Sequence, residues 1–378
     1  MNDSSGSKTK NTSANASERN VGLYSREYEH DSCGIGFVAN IKGGKSHKII
    51  DCALQVLERM THRGAEGADN ETGDGCGIMM QIPHAYYKKQ LPELPDPFNY
   101  GSGLVFLPND DGVINAIVKK INSIADELKL KILALNDVEV NSKAIGRIAS
   151  ASEPCIKQIF FSLDGFDYKK QIDHCPQERN GYDALCESDI NDLELSLFLL
   201  RKKIEKYVRT EFPNNEFSIP SLSSRTIIYK GMFMPYQLRE YFPALNDPDM
   251  QSAVALVHSR FSTNTFPAWN LAQPFRFIAH NGEINTVKGN RFWEAARESL
   301  FAHPRLGKHF ADILPVIEPA KSDSASFDNM LEFLCVAGRS IPLSLMMMIP
   351  EAWNDKNPIP DELKAFYEYH ACSMVGMC

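Results

Sequence analysis

Apolar and polar positions along the chain fall into blocks that predict alternating strands and amphipathic helices from about residue 33 onward. Residues 1–20 are dominated by Ser, Asn, Lys, Thr and Gly and have no hydrophobic periodicity. Ordering such a segment costs backbone entropy with little burial to offset it, so disorder is expected there. Residues 22–32 add two tyrosines and several charges and read as a segment able to dock just ahead of Cys33. Gly36 to Ile41 reads as a strand, Lys42-Gly43-Gly44-Lys45 as its turn, and His47 to Met60 as a helix with Ile49, Ile50, Ala53, Leu54 and Leu57 inward. A glycine-rich, charged loop from Thr61 to Gly77 then feeds a second strand, Ile78 to Ile82.

Further strands are expected at 103–108, 131–140 and 157–161, and helices at 112–128 and 193–209. Later come a strand at Arg225–Lys230 and a helix-like stretch from Met234 to Tyr241. Two apolar runs, from Ala253 to Val257 and from Phe275 to Ala279, read as buried strands. Each ends in polar residues, His258-Ser259-Arg260 and His280-Asn281-Gly282, a common way to hold functional groups on a rigid support.

Composition narrows this outline. At 378 residues and 43% apolar the chain has enough material for a large core. Its 40 basic against 48 acidic residues, with no Lys/Arg block, argue against a nucleic-acid or acidic-membrane partner. No window reaches the roughly 18 consecutive apolar residues of a membrane span, and residues 1–32 hold no secretory apolar run. The expected compartment is the cytoplasm, a transit peptide being the alternative for the leader. The sequons at Asn11, Asn15 and Asn70 therefore read as unused. Nine cysteines with no CxxC pair fit free thiols, and neither a zinc ribbon nor a disulfide scaffold.

Candidate chemistry centres on Cys33. Release of residues 1–32 gives it a free α-amine, whose pKa of about 7.7–8.0 lets it accept the thiol's proton directly or through water. Attack on an amide carbonyl creates an oxyanion, which a side-chain amide and a turn N–H, such as Asn281 and Gly282, can stabilise. A free amino-acid substrate needs a cation for its carboxylate and an anion for its ammonium. Arg260, with Thr263 as an added hydroxyl donor, suits the first, and Asp323 suits the second. Taken singly, each has a plainer explanation: a small buried thiol, a surface ion pair, a hairpin turn and a helix N-cap. Gly34-Ile35-Gly36-Phe37-Val38-Ala39 matches a dinucleotide fingerprint only formally, because no strand precedes it and no helix follows. The His62-Arg63-Gly64 and Gly73-Asp74-Gly75 loops lack the GK[ST] ending of a P-loop.

Taken together, Cys33-Gly34-Ile35-Gly36, His62-Arg63-Gly64-Ala65, Gly73-Asp74-Gly75, the 258–264 run HSRFSTN, the 279–285 run AHNGEIN and Ser322-Asp323-Ser324 occur in the order of a class II glutamine amidotransferase. Phe266-Pro267-Ala268-Trp269, Gln273-Pro274-Phe275-Arg276, Pro350-Glu351-Ala352-Trp353 and the 367–372 run YEYHAC resemble, more narrowly, the N-terminal domain of glutamate synthase large subunits. The resemblance covers roughly residues 22–373. It implies an α+β fold, the four-layer αββα sandwich of N-terminal-nucleophile hydrolases, with residues 1–32 a leader and 33–378 the amidotransferase domain.

It also implies residue roles. Cys33 is the nucleophile toward L-glutamine, Asn281 and Gly282 the oxyanion hole, and Arg260 and Thr263 the carboxylate contacts. Asp323 is the ammonium contact, and Arg63 supports the nucleophile's surroundings. Two departures stand out. Residues 133–140, LALNDVEV, lack the family's Trp-Arg and Val-Pro pairs, which implies a local packing change. The chain ends at Cys378, where the family runs on into a synthase region, so the domain is expected to be clipped and that region, with its FMN and iron–sulfur cluster, to be missing. No cofactor or metal is expected in this chain. The expected partners are L-glutamine and, where present, the synthase region or small subunit that sends ammonia to 2-oxoglutarate. An independent amidohydrolase and an inactive remnant are the competing readings.

Overall fold

The computed structural model describes residues 34–169, 190–260, 266–282, 284, 286–301, 306–319 and 321–373, residues 372 and 373 by backbone alone. The expected leader, Cys33, Thr263 and the final residues lie outside these. Two antiparallel sheets form the frame. The first has the order β1-β7-β2-β6, from Ile35–Ala39 (β1), Cys76–Gln81 (β2), Thr226–Gly231 (β6) and Val254–Ser259 (β7). The second has the order β3-β5-β4, from Gly101–Leu107 (β3), Leu130–Asp137 (β4) and Cys155–Leu163 (β5).

Helix α1 (His47–Arg59) buries Ile50, Ala53, Leu54 and Leu57, as its periodicity predicts. These join Ile78 and Met80 of β2, Ala255 and Val257 of β7, and Leu104 and Phe106 of β3 in one core. After the short α2 (His84–Gln90) comes α3 (Asp111–Glu127), followed by α4 (Arg147–Ala151) and α5 (Asp192–Glu211). Helices α3 and α5 pack into a second core with Val105 and Leu107 of β3 and Ile159 and Phe161 of β5. Successive side chains of β3 thus enter opposite cores, which is why that strand is apolar throughout rather than alternating.

Beyond α6 (Gln237–Tyr241) the helices are α7 (Val287–Arg297), α8 (Asp323–Val336), α9 (Ile341–Met348) and α10 (Asp361–Ser373). Every residue of α8 from Ser324 onward is buried. Among the described residues no helix is long and apolar enough to cross a membrane.

One expectation fails. Phe275–Ala279 is not a strand. Its backbone groups turn to local partners: Phe275 N–H donates to Ile278 O (2.8 Å), Phe277 N–H to the Asp328 carboxylate (2.8 Å) and His280 N–H to Gln273 Oε1 (3.0 Å). With those donors engaged by a turn and two side chains, no ladder remains to be made.

Candidate active site

Strand β7 carries the site. It lies between β1 and β2, so its C-terminal end is held from both sides. Ser259 N–H donates to Gly34 O (2.7 Å) and Arg260 N–H to Gly75 O (2.9 Å). Gly34 directly follows Cys33 in sequence, and its lack of a side chain is a requirement. A Cβ there would lie 2.4 Å from Ser259 O and 3.4 Å from Asn281 Oδ1. Gly75 has φ +128°, a conformation that side chains rarely tolerate, and it presents the carbonyl that fixes Arg260. Gly73 abuts the Phe233 backbone, where a Cβ would meet Phe233 O at 2.1 Å. The Gly-Asp-Gly motif is therefore a wedge under the site.

Arg260 is only 7% exposed. Burial lowers its pKa, opposed by the charges of Asp74 and Asp323. Its guanidinium also reaches Asp74 O at 3.4 Å. Asp323 opens α8 beside the N-cap Ser322, whose hydroxyl accepts from Ala325 N–H. An acidic side chain at a helix N-terminus is electrostatically favoured. The same carboxylate acts on His280, whose pKa burial lowers while Asp323 and a hydrogen bond with the Gly282 backbone oppose the fall.

Asn281 meets β7 through His258, where Nε2 lies 2.8 Å from Asn281 Oδ1 and 3.1 Å from His280 O. A backbone carbonyl can only accept, so Nε2 carries the proton and the amide atom facing it must be oxygen. His258 is 2% exposed, and burial pulls its pKa down to about 4, so the ring is neutral near pH 7. Gln273 braces the same turn, taking His280 N–H on Oε1 (3.0 Å) and donating from Nε2 to His280 O (3.2 Å). Among the described residues, His258 Nδ1, Ser259 Oγ and His280 Nε2 are buried polar atoms left without a partner, all along this wall.

Of the residues singled out from sequence, Arg260, Asn281, Gly282 and Asp323 are thus brought to one end of β7, next to Gly34. Arg63 lies in a single 3₁₀ turn, Thr61–Arg63. The following Gly64 packs on this end of β7, its Cβ position being 2.9 Å from Ser259 Oγ and 3.5 Å from Arg260 O. Cys33 and Thr263 are outside the described residues. Sequence reasoning gave no role to His258 or Gln273. The available signal was a polar residue at the end of an apolar strand run, at a position that proves as buried as the core.

This arrangement defines a class: a glycine-led β1 beside a strand whose end gathers an arginine, an amide and a carboxylate. The family profile for glutamine amidotransferases class-II matches residues 33–376, and the chain belongs to that family. Its similarity is to glutamate synthases. It is 44% identical over 358 residues to glutamate synthase [NADH] of Schizosaccharomyces pombe, covering 93% of this chain and 16% of that protein. With the glutamate synthase [NADPH] large chain of Bacillus subtilis it shares 39% identity, covering 93% of this chain and 22% of that protein. For ferredoxin-dependent glutamate synthase 2, chloroplastic, of Arabidopsis thaliana the figures are 36%, 92% and 20%. The chain therefore spans about a fifth of the length of these curated relatives.

Proposed function

We propose that this chain is the glutaminase domain of a glutamate synthase, with Cys33 as an N-terminal nucleophile once residues 1–32 are released. The α-amine takes the thiol proton and sulfur attacks the side-chain carbonyl of L-glutamine. The amine returns that proton to the departing nitrogen, so ammonia leaves and a γ-glutamyl thioester remains. Water then adds to the thioester and frees glutamate and the thiol. Asn281 and the Gly282 N–H stabilise both oxyanions. Arg260 and Thr263 hold the substrate's α-carboxylate, Asp323 holds its α-ammonium, and Arg63 supports the nucleophile's surroundings.

The observation that carries this reading is the meeting, at one end of β7, of buried Arg260, of Asn281 against Gly34, and of half-buried Asp323 at the start of α8, whose charge acts on both Arg260 and His280. An amino acid's carboxylate and ammonium, two bonds apart on one carbon chain, match such a pair, whereas a simple amide offers them nothing to bind. The fold we assign is the four-layer αββα sandwich, with 33–378 as the amidotransferase domain. It is supported by two cores, one under α1 and one under α3 and α5, with sheet residues contributing to both. In the whole protein we assign the ammonia to 2-oxoglutarate in a synthase region, which also holds FMN and an iron–sulfur cluster and works with a small subunit where one exists. None of the residues described here is assigned to those groups. The compartment we favour is the cytoplasm, an organelle being the alternative.

Intact-mass measurement and N-terminal sequencing should show a mature chain starting at Cys33 that releases ammonia from glutamine. Cys33→Ser should abolish turnover. Arg260→Ala should raise KM about 10–100-fold, the worth of one charge-assisted contact. Full glutaminase activity in the Cys33→Ser protein would sink the mechanism.

A further inference from the structure

We infer that His258 is a positioning residue for the oxyanion amide, acting as a fixed neutral donor that decides which end of the Asn281 side chain faces the reacting carbonyl. The inference rests on Asn281 being the oxyanion donor proposed above. An asparagine amide has two nearly isosteric ends, and only the Nδ2 end can stabilise an oxyanion. Nothing in the residue itself chooses between them. The choice is made from behind: His258 Nε2 donates to both His280 O and Asn281 Oδ1, at 3.1 and 2.8 Å. With Oδ1 held by that bond, Nδ2 is directed away from His258 by the trigonal geometry of the amide. A flipped amide would set N–H against N–H in a buried place, which costs the full desolvation of a donor.

The ring is itself held in one protonation state. Nε2–H is required by the His280 carbonyl, and Nδ1 is buried with no partner among the described residues. An imidazolium would carry a second, unpartnered donor at Nδ1, so the neutral Nε2–H form is the one this pocket accepts. The facing charges support it. Arg260 and His280 disfavour a cation at His258, and the nearby Asp323 acts on Arg260 and His280. Gln273 completes the support by holding both backbone groups of His280, so the carbonyl that fixes the tautomer does not move. His258 also lies in register with both neighbouring strands, paired with Ile35 on β1 and Gly77 on β2, which fixes the ring's origin between two ladders.

The test expresses the full chain, takes the processed form that starts at Cys33, and compares three variants and their combinations. His258→Leu fills the space without a donor, and His258→Gln places an amide donor near the former Nε2. Glutamine hydrolysis by His258→Leu should lose about 10–100-fold in kcat with KM within about threefold, and His258→Gln should recover most of that loss. Asn281→Ala should lose about 10²–10³-fold in kcat. In the Asn281→Ala background, His258→Leu should add less than about threefold, because the amide it positions is gone. Multiplying losses, or equal losses in His258→Leu and His258→Gln, would overturn the positioning role. If Asn281→Ala keeps its kcat, the oxyanion reading fails first and the inference falls with it. A readout independent of turnover is ¹⁵N NMR of labelled histidine. His258 should remain neutral with its proton on Nε2 from pH 5.5 to 8, and a proton on Nδ1 or a titration near 6.5 would overturn the inference even in a chain that fails to hydrolyse glutamine.

Discussion

Lys230 lies wholly inside the protein, where its ammonium donates to Ala272 O (2.7 Å), Asn270 O (3.2 Å) and Pro274 O (3.5 Å) and sits 4.7 Å from the centre of the Phe275 ring. It pins the segment that presents Gln273, and hence the backbone of His280. Burial, reinforced by the nearby Arg276, pushes its pKa down to about 7. The unfolded chain therefore binds more protons than the folded one between about pH 7 and 10.5, and stability must rise with pH across that window and be flat below it. Lys230→Met should cost about 2–4 kcal/mol by leaving three carbonyls without their donor. The deficit against the wild type should widen from pH 7 to pH 9, as read by urea unfolding at each pH. A deficit independent of pH would mean that the lysine titrates as an exposed one does. Residues of this kind were silent in the sequence. Lys230 reads there as the polar end of a strand, His258 as one member of a motif and Gln273 as part of a loop. Arg260, Asn281 and Asp323 can be singled out in the sequence because amide chemistry on an amino acid demands groups of those types, whereas the residues packed against them are chosen by the fold alone.

At the scale of elements, legibility followed amphipathicity. Helices α1 and α3 each bury one clear face, α5 is buried on all sides only from Leu197 to Lys202, and periodicity located all three within two residues of their ends. Helix α8 left no such trace because it is buried all round while carrying Asp328 and Glu332 inside. Their partners come from elsewhere in the chain. Glu332 takes Arg201 of α5 at 2.5 Å and Arg276 Nε at 3.2 Å, and Asp328 takes Arg276 at 3.2 Å and the Phe277 N–H at 2.8 Å. The same contacts explain the failed strand at 275–279, since that segment is organised by α8 rather than by a neighbouring strand. Arg201 also holds Glu205 at 2.7 Å. Arg201→Met should therefore leave buried Glu205 without its hydrogen-bonded cation and Glu332 with Arg276 alone, and cost about 3–5 kcal/mol, against near-neutrality for an exposed ion pair such as Lys364–Glu368. Denaturant midpoints of Arg201→Met and Lys364→Met would compare them directly, and equal midpoints would refute a structural role for the network.

At the scale of the molecule, the candidate site lies where the two cores meet. Arg260 follows β7, whose Ala255 and Val257 belong to the core under α1, while Asp323 begins α8, whose Phe327, Met330 and Leu331 belong to the core under α3 and α5. A ligand gripped at both ends must then stabilise both cores together. L-Glutamate, the proposed product, carries the same carboxylate and ammonium as glutamine and is not consumed, which makes it the suitable probe. At 100 times its dissociation constant it should add about 2.7 kcal/mol to unfolding, a rise of several degrees in a single transition. Arg260→Ala and Asp323→Ala should each remove most of that rise. Asp323→Ala also loses a favourable first-turn charge on α8, worth about 0.3–1 kcal/mol, so each variant has to be compared with itself without ligand. A rise that survives both substitutions would place the amino acid elsewhere. A rise confined to one of two separate transitions would mean that the cores unfold independently, and that gripping a substrate between them does not tie them together.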